Sequence, residues 1–329
     1  MKFGALSSVI AILALTFGAH AAKDTENEDF PNGIKRVPMR TFSLQTPFLH
    51  DSLHSRWYDF GGHTIVRTDQ YVRLTSDRPG QTGYLSSRLP LTAINFEIIF
   101  EFKISGKGNL YGDGMAIWLT KDRSVLGPVF GGPDNFEGIG IFIDTYKNNR
   151  PGVTFPYVMA MYGDGHTSYS KADDGKSNEL AGCSARGLHN PNHETRMKIT
   201  YVKGHFLKVE LEYKEPGKYI TCFKMGNPPD LPQTSYLSFT AETGELSENH
   251  DINEVEVNML VLPGGSDVQS HFSHPSSSSS SVRDVEKKKG GSWFWFLIKL
   301  GIVGGGGYYG YKRYLKYKKD KKYDRDAMF

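Results

Sequence analysis

The chain has 329 residues, a formal net charge of +3 and two cysteines, which allows one large domain or two small ones. Residues 311–329 hold eight Lys/Arg and three Asp, so the remainder is slightly acidic and nucleic-acid binding is excluded. Thirty-six glycines together with 13% aromatic residues suit short strands joined by tight turns.

In chain order, residues 1–21 come first. Lys2 precedes an apolar run over residues 9–17, and Ala19-His20-Ala21 precedes Ala22. This predicts a signal peptide with a small-x-small cleavage site, because the run is too short to span a bilayer comfortably. Residues 95–104 alternate: Phe96, Ile98, Phe100, Phe102 and Ile104 share one face, and Asn95, Glu97, Glu101 and Lys103 the other. That period of two predicts a half-buried strand. Residues 206–213 repeat it with Leu207, Val209, Leu211 and Tyr213. Further strands are predicted at 64–75, 115–120, 139–145, 157–162, 197–202, 219–224, 236–240 and 255–262. Gly106-Lys107-Gly108, Gly131-Gly132-Pro133, Pro151-Gly152, Gly163-Asp164-Gly165 and Pro228-Pro229 separate them. No stretch of this region has helical periodicity, so residues 22–262 read as one all-β antiparallel sandwich. Trp118 and Phe142 are expected in its core.

Residues 263–291 include Ser276 to Ser281 and lack an apolar period, which predicts a flexible stalk without a coiled coil. Residues 292–311 follow as one transmembrane helix. Trp293, Trp295, Tyr308 and Tyr309 crowd its two ends, and the nineteen residues from Trp293 to Tyr311 span roughly 28 Å. Lys299 is close enough to one end to snorkel. The excess of basic residues in 312–329 places that tail in the cytosol and residues 22–291 in the lumen. A lumenal, oxidising setting makes a Cys183–Cys222 disulfide the expected state. No Asn-x-Ser/Thr sequon occurs, so no N-glycan is expected.

Candidate chemistry begins at Asp144-Thr145-Tyr146-Lys147-Asn148, where a carboxylate, a backbone carbonyl and an amide lie within five residues. These are oxygen ligands suited to Ca²⁺. Asp173-Asp174-Gly175 offers a second acidic loop. Tyr111-Gly112-Asp113-Gly114 places an aspartate between glycines at a strand entrance, and Thr243-Gly244-Glu245-Leu246 is another glycine turn. The histidines, His166 and His250 included, have no metal-ligand spacing.

These segments, with Met115-Ala116-Ile117-Trp118, Gly127-Pro128-Val129-Phe130-Gly131, Asp134-Asn135-Phe136, Glu179-Leu180-Ala181-Gly182-Cys183 and Ser247, occur in an order that resembles the L-type (legume-like) lectins of the early secretory pathway, in particular the vesicular integral membrane lectin branch. The resemblance covers about residues 31–262. It implies a concanavalin-A-like β-sandwich of the jelly-roll kind that binds high-mannose glycans on glycoproteins through one Ca²⁺. Carried over residue by residue, the metal ligands are the Asp144 and Asn148 side chains, the Tyr146 carbonyl and Asp174. Asp113 and Asn148 bind mannose hydroxyls, assisted by backbone N–H groups around Gly244, Glu245 and Leu246, and a cis peptide is implied at Gly112–Asp113. Three positions depart from the family: Lys171 stands where a histidine is usual, Glu245 where Gly-Asp-Leu has its aspartate, and Tyr84 where a serine lies beside the sugar. A lysine does not titrate between pH 6 and 7.5, so Lys171 carries no pH coupling there.

The reading is therefore a lumenal, non-enzymatic lectin of the endoplasmic reticulum, the intermediate compartment or the Golgi, acting as a cargo receptor for high-mannose glycoproteins. Its single-pass type I anchor leaves a tail able to meet anionic lipid and coat proteins. Two alternatives remain: a tethered protein-binding adaptor with a decayed sugar site, and a sandwich-fold glycosidase. Hydrolysis needs two opposed carboxylates. Glu248, Asp251 and Glu254 recur at threes, in a stretch expected to be a loop.

Overall fold

A computed structural model describes residues 34–50, 53–263 and 311–313. The chain divides into two units, Met1–Gln269 and Ser270–Phe329. In the second, residues 311–313 are helical. The expected signal peptide, nearly all of the stalk, the membrane span before residue 311 and the tail beyond residue 313 lie outside the described residues. Among the described residues no helix is long and apolar enough to cross a membrane.

The first unit is a sandwich of two antiparallel sheets. Among the described residues one sheet has eight strands: β1 (Lys35–Pro38), β3 (Ile65–Arg67), β4 (Tyr71–Thr75), β6 (Phe96–Ser105), β11 (Thr195–Val202), β12 (Phe206–Glu212), β13 (Ile220–Gly226) and β15 (Asn249–Val261). Its order is β13-β12-β11-β6-β15-β4-β3, with β1 also paired to β15. The other sheet has seven: β2 (Tyr58–Gly62), β5 (Thr82–Ser87), β7 (Gly114–Thr120), β8 (Glu137–Asp144), β9 (Tyr157–Asp164), β10 (Glu179–Ser184) and β14 (Tyr236–Glu242). They run β10-β9-β8-β7-β14-β5-β2.

The alternation of β6 fixes which face meets the partner sheet. Phe96, Ile98, Phe100, Phe102 and Ile104 join Met115, Ile117, Leu119, Ile139, Ile141, Ile143 and Phe239 in one buried core. Burial of each large side chain contributes roughly 1.5–3 kcal/mol. The opposite face of β6 is not simply solvated. Glu97 and Glu101 are buried and paired with Arg36 and Arg196, which compensates charges that would otherwise be costly to desolvate. A second cluster covers the outer face of the seven-stranded sheet: Ala116, Trp118 and Phe142 lie under Val129, Phe130, Phe136 and Tyr169 from the connecting loops. β7 is therefore buried on both faces, which explains its unbroken apolar run. Trp118 and Phe142 are both core residues, and the indole N–H of Trp118 donates to Thr240 Oγ1 (2.8 Å).

The expected single strand at 64–75 is instead a hairpin of β3 and β4. Gln70 N–H closes the turn on the Arg67 carbonyl (3.0 Å), as suits an Asp-containing connection. Strands β1, β2, β5 and β10 carried too little apolar alternation to be anticipated, and β15 begins six residues earlier than expected. Asp251 and Glu254 consequently sit in a strand, not a loop, bound to Arg73 (2.7 Å) and Gln45 (2.7 Å). Two single-turn helices, Lys171–Asp173 and Lys176–Asn178, break the otherwise all-β pattern.

Cys183 and Cys222 are bonded, with Cα atoms 5.3 Å apart. Because β10 and β13 are edge strands of different sheets, the bond clips the sandwich along one side.

Candidate functional site

Asp144 ends β8, and in-register pairing sets it opposite Gly114 at the start of β7. Gly114 sits at φ +142°, and a Cβ there would lie 2.2 Å from the Ile143 carbonyl oxygen. Only a glycine allows the two strands to approach this closely. Asp113 therefore leaves the sheet beside Asp144, and its carbonyl accepts the Thr145 N–H (3.0 Å). The Gly112–Asp113 peptide is cis.

The loop after β8 is wound around one carboxylate. Asp174, only 2% exposed, accepts from the backbone N–H groups of Asn148 (3.1 Å), Asn149 (2.9 Å) and Arg150 (2.9 Å), and from Asn148 Nδ2 (2.7 Å). Asp174 itself has a left-handed backbone at φ 52°, followed by Gly175 at φ 68°, a turn that aims the carboxylate into the loop. Buried Arg150 holds the rear of the arrangement. It pairs with Glu179, contacts Tyr157 Oη (3.2 Å) and stacks on the Tyr157 ring at 4.1 Å.

Asp113, Asp144, Tyr146, Asn148, Lys171 and Asp174 line one cavity of about 160 Å³, with Phe130, Val129, Tyr169 and Glu242. The glycine turn after β14 closes beside it. A Cβ on Gly244 would come within 3.0 Å of the Asp113 carboxylate. That turn is braced from the β4–β5 connection: Gly80 N–H donates to the Gly244 carbonyl (3.0 Å), and Thr243 N–H to the Gln81 carbonyl (2.8 Å). Glu245 is exposed and Leu246 half-buried. Tyr84 is placed elsewhere. It lies in β5, opposite Gly61 and Thr240, with its ring against Gly61, and it does not line the cavity. Arg78, Gly80 and Gln81 are the residues of that segment that reach the glycine turn.

Burial, reinforced by the neighbouring Asp174, pushes the Asp144 carboxyl well above the ordinary carboxylate value. Burial raises Asp113 and Glu242 as well, partly offset in each by Lys171. The site thus concentrates carboxylates whose ionised forms need a cation. Two carboxylates, an amide and the Tyr146 carbonyl are hard oxygen donors and fit Ca²⁺. No cluster of three or more His, Cys, Asp or Glu side chains suited to a metal occurs among the described residues, as expected when half of the donors are an amide and a carbonyl. Glu242 was not anticipated from sequence. Its carboxylate receives the Gly131 N–H (3.1 Å), a pairing across 111 residues that no local pattern announces. Arg150 was missed for the same reason.

Comparison with known proteins points to one family. Residues 35–265 match the family model "Legume-like lectin family". An "L-type lectin-like domain-containing protein" of Schizosaccharomyces pombe is 41% identical over 219 residues, covering 66% of this chain and 70% of that protein. Human vesicular integral-membrane protein VIP36 is 38% identical over 247 residues, covering 74% and 68%. The chain therefore spans about two thirds of the length of these relatives. The VIP36 exoplasmic/lumenal domain in its Ca²⁺/Man3GlcNAc-bound form superposes with a TM-score of 0.64 at 37% identity, over 69% of this chain and 92% of that one. Its Ca²⁺/Man-bound form gives 0.65 at 35% identity, over 76% and 100%.

Proposed function

The chain belongs to the legume-like lectin family, whose members bind carbohydrate and are not enzymes, and from that premise we propose that it is a Ca²⁺-dependent receptor for high-mannose N-glycans. The observation that carries the reading is the convergence of Asp113, Asn148 and the Gly244 turn beside the Asp144–Asp174 pair, in a chain similar to a lectin crystallised with Ca²⁺ and mannose. Asp144, Asn148, Asp174 and the Tyr146 carbonyl would hold the ion, which supplies positive charge that fixes the loop. Asp113 accepts from two adjacent sugar hydroxyls, and the Asn148 amide and the backbone around Gly244 complete the contact. Because Asp174 already organises the loop, little ordering entropy remains to oppose binding. Lys171 lies close enough to Asp113 and Glu242 to influence both carboxyls, so it supplies charge where the family has a titrating side chain.

The proposed setting is the lumen of the early secretory pathway, with cargo glycoproteins as partners, residues 292–311 as a type I anchor and a basic cytosolic tail. The test is retention of the detergent-solubilised full-length chain on immobilised high-mannose glycans, with Ca²⁺ and with chelator. Retention that chelation and free mannose both abolish is expected. No retention at saturating Ca²⁺ removes the reading, and a cargo pulldown that survives both treatments favours the protein-binding adaptor instead.

Gly244→Ala separates sugar binding from metal binding. The added methyl crowds the Asp113 carboxylate at 3.0–3.1 Å, in the space the sugar needs. Mannose affinity should fall by roughly tenfold or more, while the rise in melting temperature on adding Ca²⁺ persists.

A further inference from the structure

Behind the cavity lies a buried polar cluster that the proposed sugar site does not use. Glu248 and His250 are 0% exposed. Thr145 Oγ1 donates to Glu248 Oε1, and His250 Nε2 is 3.2 Å from the same oxygen. His189 Nε2 approaches Glu248 Oε2 at 3.6 Å. The far nitrogen of His250, Nδ1, is 2.7 Å from Thr75 Oγ1. The Tyr111 ring stacks on His189 with centroids 3.6 Å apart. Glu248 Oε2 and both Nε2 atoms make no hydrogen bond, and the carboxylate is held by the Thr145 hydroxyl. A buried carboxylate is costly to retain. A leucine would fill the position without that cost.

Its connections give it a role. Thr145 lies between Asp144 and Tyr146, both proposed metal ligands. Glu248 is four residues after Gly244, in the segment that presents the sugar-binding turn, and Ser247 beside it donates to Asp77 Oδ1 (2.7 Å). Tyr111 precedes the Gly112–Asp113 peptide. One carboxylate therefore touches or backs all three segments that form the rim.

We infer that Glu248 is a positioning residue that couples the calcium loop to the glycan turn, through its hydrogen bond from Thr145. The inference rests on the proposed Ca²⁺-dependent sugar site. An ion held by Asp144 and Tyr146 would fix the Thr145 hydroxyl between them. That hydroxyl fixes Glu248, and through it residues 243–248. Ca²⁺ and mannose then favour each other beyond the contacts they share at Asn148.

The experiment is amide hydrogen exchange on the full-length chain in detergent, with Ca²⁺ and with chelator, together with mannose and Ca²⁺ titrations. In the wild type, Ca²⁺ should slow exchange in residues 144–150 and also in 243–249. In Thr145→Val and Glu248→Gln the slowing should stay within 144–150. Mannose affinity at saturating Ca²⁺ should drop about tenfold, with Ca²⁺ affinity in the absence of sugar changed by less than about threefold. Thr145→Ser, which keeps the hydroxyl, should restore both responses and keeps the test valid if Glu248→Gln fails to fold. Calcium protection of 243–249 that survives Thr145→Val, or a Thr145→Ser variant as defective as Thr145→Val, overturns the inference. Absence of mannose binding in the wild type defeats the parent reading alone, because the exchange response of 243–249 still reports the coupling.

Discussion

Replacing Asp174 by alanine is expected to lower mannose affinity more than 100-fold and to abolish the rise in melting temperature that Ca²⁺ gives the wild type. The carboxylate has two tasks. It is a proposed metal ligand, and it accepts four N–H groups from residues 148–150. Hydrogen bonds to a charged acceptor contribute about 1.5–3 kcal/mol each to ordering the loop, and a loop left unordered must be ordered by the sugar, where a cost of roughly 2.7 kcal/mol is already 100-fold in affinity. Removing the acceptor also leaves buried donors unpaired in the segment that presents Asn148. Isothermal titration with mannose and thermal unfolding with and without Ca²⁺ read the two losses separately. An Asp174→Ala protein that still binds mannose within tenfold of the wild type would exclude Asp174 from the site.

Asp144 should behave differently in the absence of metal. Its folded carboxyl is raised by burial and by Asp174, so its ionised form opposes folding. A carboxyl raised in the folded state takes up a proton on folding between its unfolded and folded pKa values. Metal-free stability should therefore fall as pH rises through that window. In chelator at neutral pH, Asp144→Asn should raise the melting temperature while eliminating the Ca²⁺ response. A lower melting temperature in chelator would show that the repulsion is compensated elsewhere.

Loss of the Cys183–Cys222 bond is the second large effect. The bond closes a sequence separation of 39, which in the chain-entropy account is worth roughly 3–4 kcal/mol. For a domain of this size that corresponds to about 10 °C in melting temperature. The paired Cys183→Ser/Cys222→Ser variant, or the wild type in reductant, should show this drop. The site should feel it too, since β10 carries Glu179, the partner of Arg150 behind the metal loop. Unfolding curves that coincide with and without reductant would show that the edge strands hold without it.

The all-β class was legible because period-two alternation in β6 and β12 is a local property of the chain. The candidate oxygen donors stood out for a similar reason: Asp144, Tyr146 and Asn148 fall within five positions, a spacing suited to an ion. Tyr84 shows the limit. The resemblance sets it beside the sugar, and only strand pairing shows its ring against Gly61, with Gly80 and Gln81 bracing the glycine turn. Glu248 was visible only as one of three acids at regular spacing. The role inferred for it depends on Thr145 and His189, which lie 103 and 59 positions away in the chain.

By itself the sequence determined the strand-rich class and the resemblance to a lectin family, because both are written in local runs of residues. The tertiary structure alone decided that Asp113, Asp174 and Gly244 meet, that Glu242 and Lys171 share their cavity, and that a buried carboxylate backs the rim. Antiparallel pairing fixes distances between strand ends that are far apart along the chain. A side chain's burial and its partners exist only once those ends have come together.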